Sequence, residues 1–188
     1  MSNLWLIPLA SPLTMSPKFK ATFEAKGFLF TALWDEQGCL WHLTFGDAPA
    51  PLFLKRLKQK GYSLSFVLAP QAFKESVVKE LLTYFSGHKK TPVYPSFLLG
   101  SPFEKKVWQA LLEIPWGEVK TYAWLAQKIG SPRALRAVGQ ALAKNPIPIF
   151  YPCHRIVAKN GPGGFSSGFK VKKKLLALEG VNVNSLTF

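Results

Sequence analysis

Two prolines one residue apart, Pro146 and Pro148, with a third at Pro152, leave the segment Asn145-Pro-Ile-Pro-Ile-Phe-Tyr-Pro-Cys-His-Arg-Ile-Val157 few ways to run. Each proline fixes its own φ and biases the residue before it towards extended backbone. Ile147, Ile149, Phe150 and Tyr151 are therefore expected as a buried strand or extended segment, broken by Pro152 just before Cys153. A thiol that follows such a break is aimed by stiff backbone. Cys153 and His154 can both take part in nucleophilic chemistry, but adjacent residues on a strand point to opposite faces. His154 would serve Cys153 only through a turn or a bridging water. A free cysteine is just as often a small buried hydrophobe, and a papain-like pairing needs a histidine distant in sequence.

The rest of the chain supplies a scaffold. Phe19 to Phe23 and Phe28 to Trp34 read as strands, and Asp35-Glu-Gln-Gly38 as a turn. Cys39 to Phe45 is then the hairpin partner, with Cys39 and His42 as strand residues rather than a site. Pro51 to Lys60 has helical spacing in Leu52, Leu54 and Leu57, and Ser63 to Leu68 is a further strand candidate. Pro70 opens a helix through Phe85 with Val77, Val78, Leu81 and Leu82 as its apolar stripe. Residues 1–88 thus form an α/β unit without visible chemistry, and 89–100 a proline-punctuated linker to a unit at 101–188.

That second unit opens on Ser101-Pro-Phe-Glu104, a capping box with proline at the first helical position. Phe103, Val107, Trp108, Leu111 and Leu112 are its expected buried side. A helix-turn-helix follows: Thr121 caps a helix from Tyr122 to Ile129, and Gly130 suits a left-handed turn. Ser131-Pro132 starts a second helix, with Leu135, Val138 and Leu142 inward. Its other face carries Arg133, Arg136, Gln140 and Lys144, interleaved with small residues such as Ala134, Ala137 and Gly139. A small and basic face after a tight turn suits close approach to a duplex.

Charge agrees with a polyanionic partner. The formal net charge is +14, and residues 102–188 carry 13 basic against 4 acidic side chains. Two cysteines give no disulfide framework, which fits a reducing interior. No four-ligand metal spacing is present. No apolar run approaches membrane-spanning length. The apolar start Leu4 to Ala10 lacks a basic lead and is interrupted by Pro8, so no signal peptide is expected.

Pro-Cys-His-Arg-Ile-Val157, with Asn-Pro-Ile-Pro-Ile149 before it, closely resembles the active-site signature of the O6-alkylguanine-DNA alkyltransferases. The resemblance extends upstream through Phe103, Val107-Trp108, Ile114-Pro-Trp-Gly-Glu-Val-Lys-Thr-Tyr122, Leu125-Ala126, Ile129-Gly130 and Arg136-Ala-Val-Gly139. Downstream it runs through Gly163-Gly-Phe-Ser-Ser-Gly168 to Leu175-Leu-Ala-Leu-Glu-Gly180. It implies a two-domain α+β fold: a ribonuclease-H-like α/β domain, then a mostly helical, winged-helix-like domain with the helix-turn-helix.

The implied activity is single-turnover repair of double-stranded DNA containing O6-alkylguanine or O4-alkylthymine. Cys153 would irreversibly accept the alkyl group, with His154 as base through a water, Glu179 orienting the imidazole and Asn145 bracing the turn. The second helix would enter the minor groove, Arg136 filling the gap left by the extruded base and Tyr122 driving rotation and bonding the base. Arg133, Ala134, Gln140 and Lys144 would contact DNA. Trp116, Pro148, Ile156, Phe165, Ser166 and Lys172 would surround the base, with Ser166 donating to O6. Arg155 is expected as an anchor. The pocket loop is one residue shorter than the common pattern and has Phe165 where many members have tyrosine, which bears on alkyl preference and rate. No cofactor is implied, and the protein is expected to be cytoplasmic and monomeric. The alternative is a lesion-binding protein that flags damage without transfer, as in relatives that lack the cysteine.

Overall fold

The computed structural model describes residues 15–88 and 90–182; Leu4 to Ala10, where no signal peptide is expected, lies outside them. A four-stranded sheet occupies the first half. β1 (Phe19–Ala25), β2 (Phe28–Trp34) and β3 (Leu40–Phe45) form an antiparallel meander, and β4 (Val67–Leu68) pairs parallel to β1, giving the order β3-β2-β1-β4. The strand expected over Ser63 to Leu68 is thus only two residues long. Both β4 side chains are exposed at the sheet edge, with no apolar face to extend the pairing.

Both faces of the sheet are covered, which explains why Phe30 to Trp34 are all buried. Leu33 and Trp41 face α1 (Pro51–Gln59), which contributes Phe53 and Leu57. Phe30, Ala32 and Trp34 face α2 (Gln71–Phe85) and the second half of the chain. On α2 the buried stripe is Val77, Leu81, Tyr84 and Phe85; Leu82, expected inward, is 46% exposed. Tyr84 rather than Leu82 lies on the Val77–Leu81 face, three residues on from Leu81.

The second half contains α3 (Pro102–Ala110), a 3₁₀ turn (Leu111–Glu113), β5 (Lys120–Thr121), α4 (Tyr122–Lys128) and α5 (Leu135–Ala143). A second 3₁₀ turn (Cys153–Arg155), β6 (Ile156–Val157) and α6 (Phe169–Leu178) complete it. The capping box at Ser101 and Glu104 is present in both directions. Leu112, expected in the core, is exposed because the chain tightens into the 3₁₀ turn there. Trp108, fully buried, donates its indole N–H to Ala141 O at 2.8 Å and so locks α3 to α5.

Residues of the expected linker add to the sheet. Leu40 N donates to Pro95 O and Phe97 N to Leu40 O, each at 2.8 Å, and Leu43 N donates to Pro146 O at 2.9 Å. One apolar cluster runs from Ala21 in β1 to Leu175 in α6. Glu104 is held by Arg56 of α1 at 2.8 Å and Lys144 at 3.3 Å, a further tie between the halves.

Candidate active site

Cys153 does not follow a strand. Residues 146–150 turn instead, with Tyr151 N closing onto Ile147 O at 3.0 Å and Ile149 held at φ +74°. Every residue from Asn145 to Phe150 is buried, so the extended bias of the prolines yields to burial of apolar side chains on both sides of the chain. Pro152 adopts φ −77°, ψ 65°, and Cys153 N donates to Tyr151 O at 2.7 Å across it. This inverse γ-turn delivers Cys153 into the first position of a 3₁₀ turn.

Asn145 organises the loop from inside. Its Nδ2 donates to Tyr151 O at 2.7 Å and to Cys153 Sγ at 3.0 Å, while its Oδ1 accepts from Ile147 N at 3.1 Å. Burial pushes the Cys153 thiol up to about 11, against the opposing pull of the Asn145 bond and the Lys172 charge. The resting sulfur is therefore protonated, and its reaction needs a base.

His154 is fully buried. Its Nε2 lies 2.9 Å from Glu179 Oε1, and among the described residues its Nδ1 has no hydrogen-bond partner. That geometry places the proton on Nε2 and leaves Nδ1 as the basic nitrogen. Burial lowers the imidazole pKa, partly offset by Glu179. Burial also works to raise the Glu179 carboxyl, but the bonds and charges of His154 and Arg155 outweigh it and bring the group down to about 2. Arg155, fully buried, donates to both Glu179 oxygens, to Ile114 O at 2.7 Å and to Lys90 O at 2.9 Å, an anchor as expected.

Tyr122 reaches this site through the two-residue parallel ladder of β5 and β6, which pairs Lys120 with Ile156 and Thr121 with Val157. Thr121 Oγ1 accepts from Trp124 N at 3.1 Å and starts α4. The Tyr122 ring leaves no room beside Gly163: a Cβ there would lie 3.1 Å from the ring and hydroxyl, on backbone at φ +68°. Tyr122, Gly139, Leu142, Ala143, Cys153, Gly164, Phe165 and Ser166 enclose a cavity of about 260 Å³. The thiol thus lines a pocket bounded by residues of α5 and of the glycine loop.

Several expected positions fall elsewhere. Trp116 packs edge-on against Tyr84 at 5.1 Å, not on the cavity. Pro148 borders a neighbouring groove, and the fully buried Ile156 offers only its carbonyl to Lys172 Nζ. Lys172, unlike the exposed Lys173 and Lys174, is buried, donates also to Gly164 O at 3.2 Å and is depressed to about 8 by desolvation. It braces the pocket loop from behind.

Helix α5 starts at Leu135, not at Ser131-Pro132. Gly130, at φ +70°, turns the chain, and Ala134 N closes onto Ser131 O at 2.9 Å, so residues 131–134 form a turn. Val138 and Leu142 are buried as expected, but Leu135 is 47% exposed beside Arg136. Arg133, Arg136, Ala137, Gln140 and Ala143 are exposed, Ala134 partly so, and Lys144 turns back to Glu104. Sequence reasoning missed Tyr84, whose hydroxyl donates to Glu179 Oε1 at 2.7 Å. No local signal marks a helix residue in the first half as part of this site.

Among the described residues, no group of three or more His, Cys, Asp or Glu could hold a metal, and no helix is long and apolar enough to cross a membrane.

Residues 102–181 match the family model described as 6-O-methylguanine DNA methyltransferase, DNA binding domain. The constitutive methylated-DNA–protein-cysteine methyltransferase of Bacillus subtilis is 46% identical over 106 residues, 55% of this chain and 64% of that protein. The methylated-DNA–protein-cysteine methyltransferase of Methanosarcina acetivorans is 43% identical over 129 residues, 68% of this chain and 82% of that protein. Among solved structures, that of Mycobacterium tuberculosis OGT in complex with DNA superposes with a TM-score of 0.72 at 31% identity. It covers 86% of this chain and 92% of the other. The mixed α+β fold is therefore shared along most of the chain, which belongs to the methylated-DNA–protein-cysteine methyltransferase family.

Proposed function

We propose that this protein repairs O6-alkylguanine in duplex DNA by moving the alkyl group irreversibly to Cys153. The single observation that carries the reading is the placement of the Cys153 thiol on the wall of a base-sized cavity that opens beside the exposed face of α5. In this reading the order β3-β2-β1-β4 supports a ribonuclease-H-like first domain, and α4, α5 and the β5–β6 ladder a winged-helix-like second one.

A lesion at O6 lies inside the base stack, so the nucleotide must rotate out, at a cost of roughly a few kcal/mol. Arg136, exposed on α5, fills the gap, and Tyr122 at the start of α4 stands at the cavity wall to meet the base. Phe165 closes the apolar side, and Ser166, also on the cavity wall, donates to O6. The sulfur then attacks the alkyl carbon. The S–C bond forms as the C–O6 bond breaks, and the electron pair leaves with guanine. The thiol proton passes through water to Nδ1 of His154, whose developing charge Glu179 balances. The departing base takes up a proton from solvent, and hydrogen bonds from Tyr122 and Ser166 spread its charge. A thioether has no ready leaving group, so each molecule acts once.

The test is to mix the protein with a duplex containing O6-methylguanine and weigh it intact. One methyl group should appear in place of hydrogen, mapped to Cys153, and Cys153→Ala should bind the lesion without gaining mass. Tight binding without any adduct would point instead to a protein that only flags the lesion.

A further inference from the structure

A residue from outside the matched region 102–181 touches the His154–Glu179 pair. Tyr84 sits at the last turn of α2, fully buried, its ring edge-on to Trp116 at 5.1 Å and to Phe85 at 5.3 Å. Its hydroxyl donates to Glu179 Oε1 at 2.7 Å and lies 3.3 Å from His154 Nε2. The same carboxylate oxygen accepts from His154 Nε2 at 2.9 Å and from Arg155 Nη2 at 3.0 Å; the other oxygen accepts from Arg155 Nε at 2.9 Å and Gly117 N at 3.3 Å.

We infer that Tyr84 is a positioning residue for alkyl transfer: by occupying a lone pair of Glu179 Oε1, its phenol keeps His154 a neutral base with Nδ1 unprotonated. This rests on the reading of Cys153 as the alkyl acceptor.

The charged and titratable groups acting on His154 are Lys172 from α6, Glu179 capping the end of that helix, Arg155 from the 3₁₀ turn, and Tyr84 from α2. Glu179 is the anion among them that favours the imidazolium. A carboxylate whose charge is spread over more donors holds an imidazolium less strongly. Without the phenol, Glu179 would bind the protonated ring more tightly, and Nδ1 would keep its proton to a higher pH. Such a ring cannot accept the thiol proton. The phenol also settles the tautomer, because its short bond goes to the carboxylate and leaves Nε2–H uncontested.

The experiment follows the rate of Cys153 benzylation by free O6-benzylguanine against pH, which removes duplex binding from the measurement. Tyr84→Phe should move the acid limb of the profile to higher pH by roughly half a unit and so slow the reaction about threefold at any pH on that limb. Replacing Tyr84 alone with 3-fluorotyrosine, a stronger donor of similar shape, should move the limb the other way. Leu81→Val, a core change one turn away, should lower the Tm and leave the limb in place. The inference is overturned if the limbs of both Tyr84 variants coincide with that of the parent, whatever their Tm. A parent protein that gains no benzyl group at Cys153 would instead overturn the reading beneath it.

Discussion

At the scale of single residues, the site is a set of hydrogen bonds that each do a separate task. Asn145 spends one amide hydrogen on the Tyr151 carbonyl and the other on sulfur. Asn145→Ala removes a bond that favours the ionised sulfur, and with it a bond worth roughly 1–2 kcal/mol to the loop, so transfer should slow about tenfold. Single-turnover kinetics with O6-benzylguanine would show this, and an unchanged rate would reduce Asn145 to a loop brace. Cys153, His154 and Asn145 were legible because they share one short motif. Trp116, Pro148 and Ile156 were misplaced because proximity in sequence does not say which way a side chain turns from a tight loop. Tyr84 was illegible for a deeper reason: it meets His154 from 70 positions away, and nothing in its own helix differs from a tyrosine that merely fills core.

At the scale of elements, the helix pair was visible in its caps and spacing, but the start of α5 was set by the turn. Ser131 and Pro132 suit a helix start, yet Gly130 and the Ala134 N to Ser131 O bond use those residues to reverse the chain. Leu135 then becomes the first helical residue and faces outward next to Arg136. Arg136→Ala should slow repair of duplex DNA far more than reaction with the free base O6-benzylguanine; equal slowing would reject a gap-filling role. Leu135→Ala should weaken affinity for duplex by a few-fold through loss of apolar contact in the groove and leave the free-base rate unchanged. The cysteine segment shows the opposite failure. Its prolines argue for extended backbone, but complete burial of residues 145–150 demands a compact turn that even holds Ile149 at positive φ.

For the whole molecule, strands and helices could be read from periodicity and punctuation. How closely the halves join could not, because the joining contacts are long-range: residues 95–97 against β3, Leu43 and His42 against Pro146, and Glu104 between Arg56 and Lys144. These contacts carry a pH dependence. His42 Nδ1 donates to Pro146 O at 2.8 Å and its Nε2 accepts from Ala50 N at 3.1 Å, an arrangement open only to the neutral ring. Burial lowers His42 to about 4, so the unfolded chain binds the extra proton first and stability falls as pH drops from about 6.5 to 4. Glu179, held down at about 2, adds a loss of the same sign below about 4.5. Tm should therefore decline through both windows, and His42→Gln should lessen the upper decline, the buried His154 adding a loss of the same sign there. A Tm constant between pH 7 and pH 4 would contradict the assignment.

The amide of Asn145 bridges Cys153 Sγ and the Tyr151 carbonyl, so it joins the reactive atom to the backbone that shapes its loop. Once the sulfur carries carbon it is a bulkier neighbour in close-packed surroundings and presses the amide away. The history of each molecule is then written in its own main chain. Hydrogen–deuterium exchange at Ile147 and Tyr151 should quicken in spent protein, distinguishing used from unused copies with no label on the DNA.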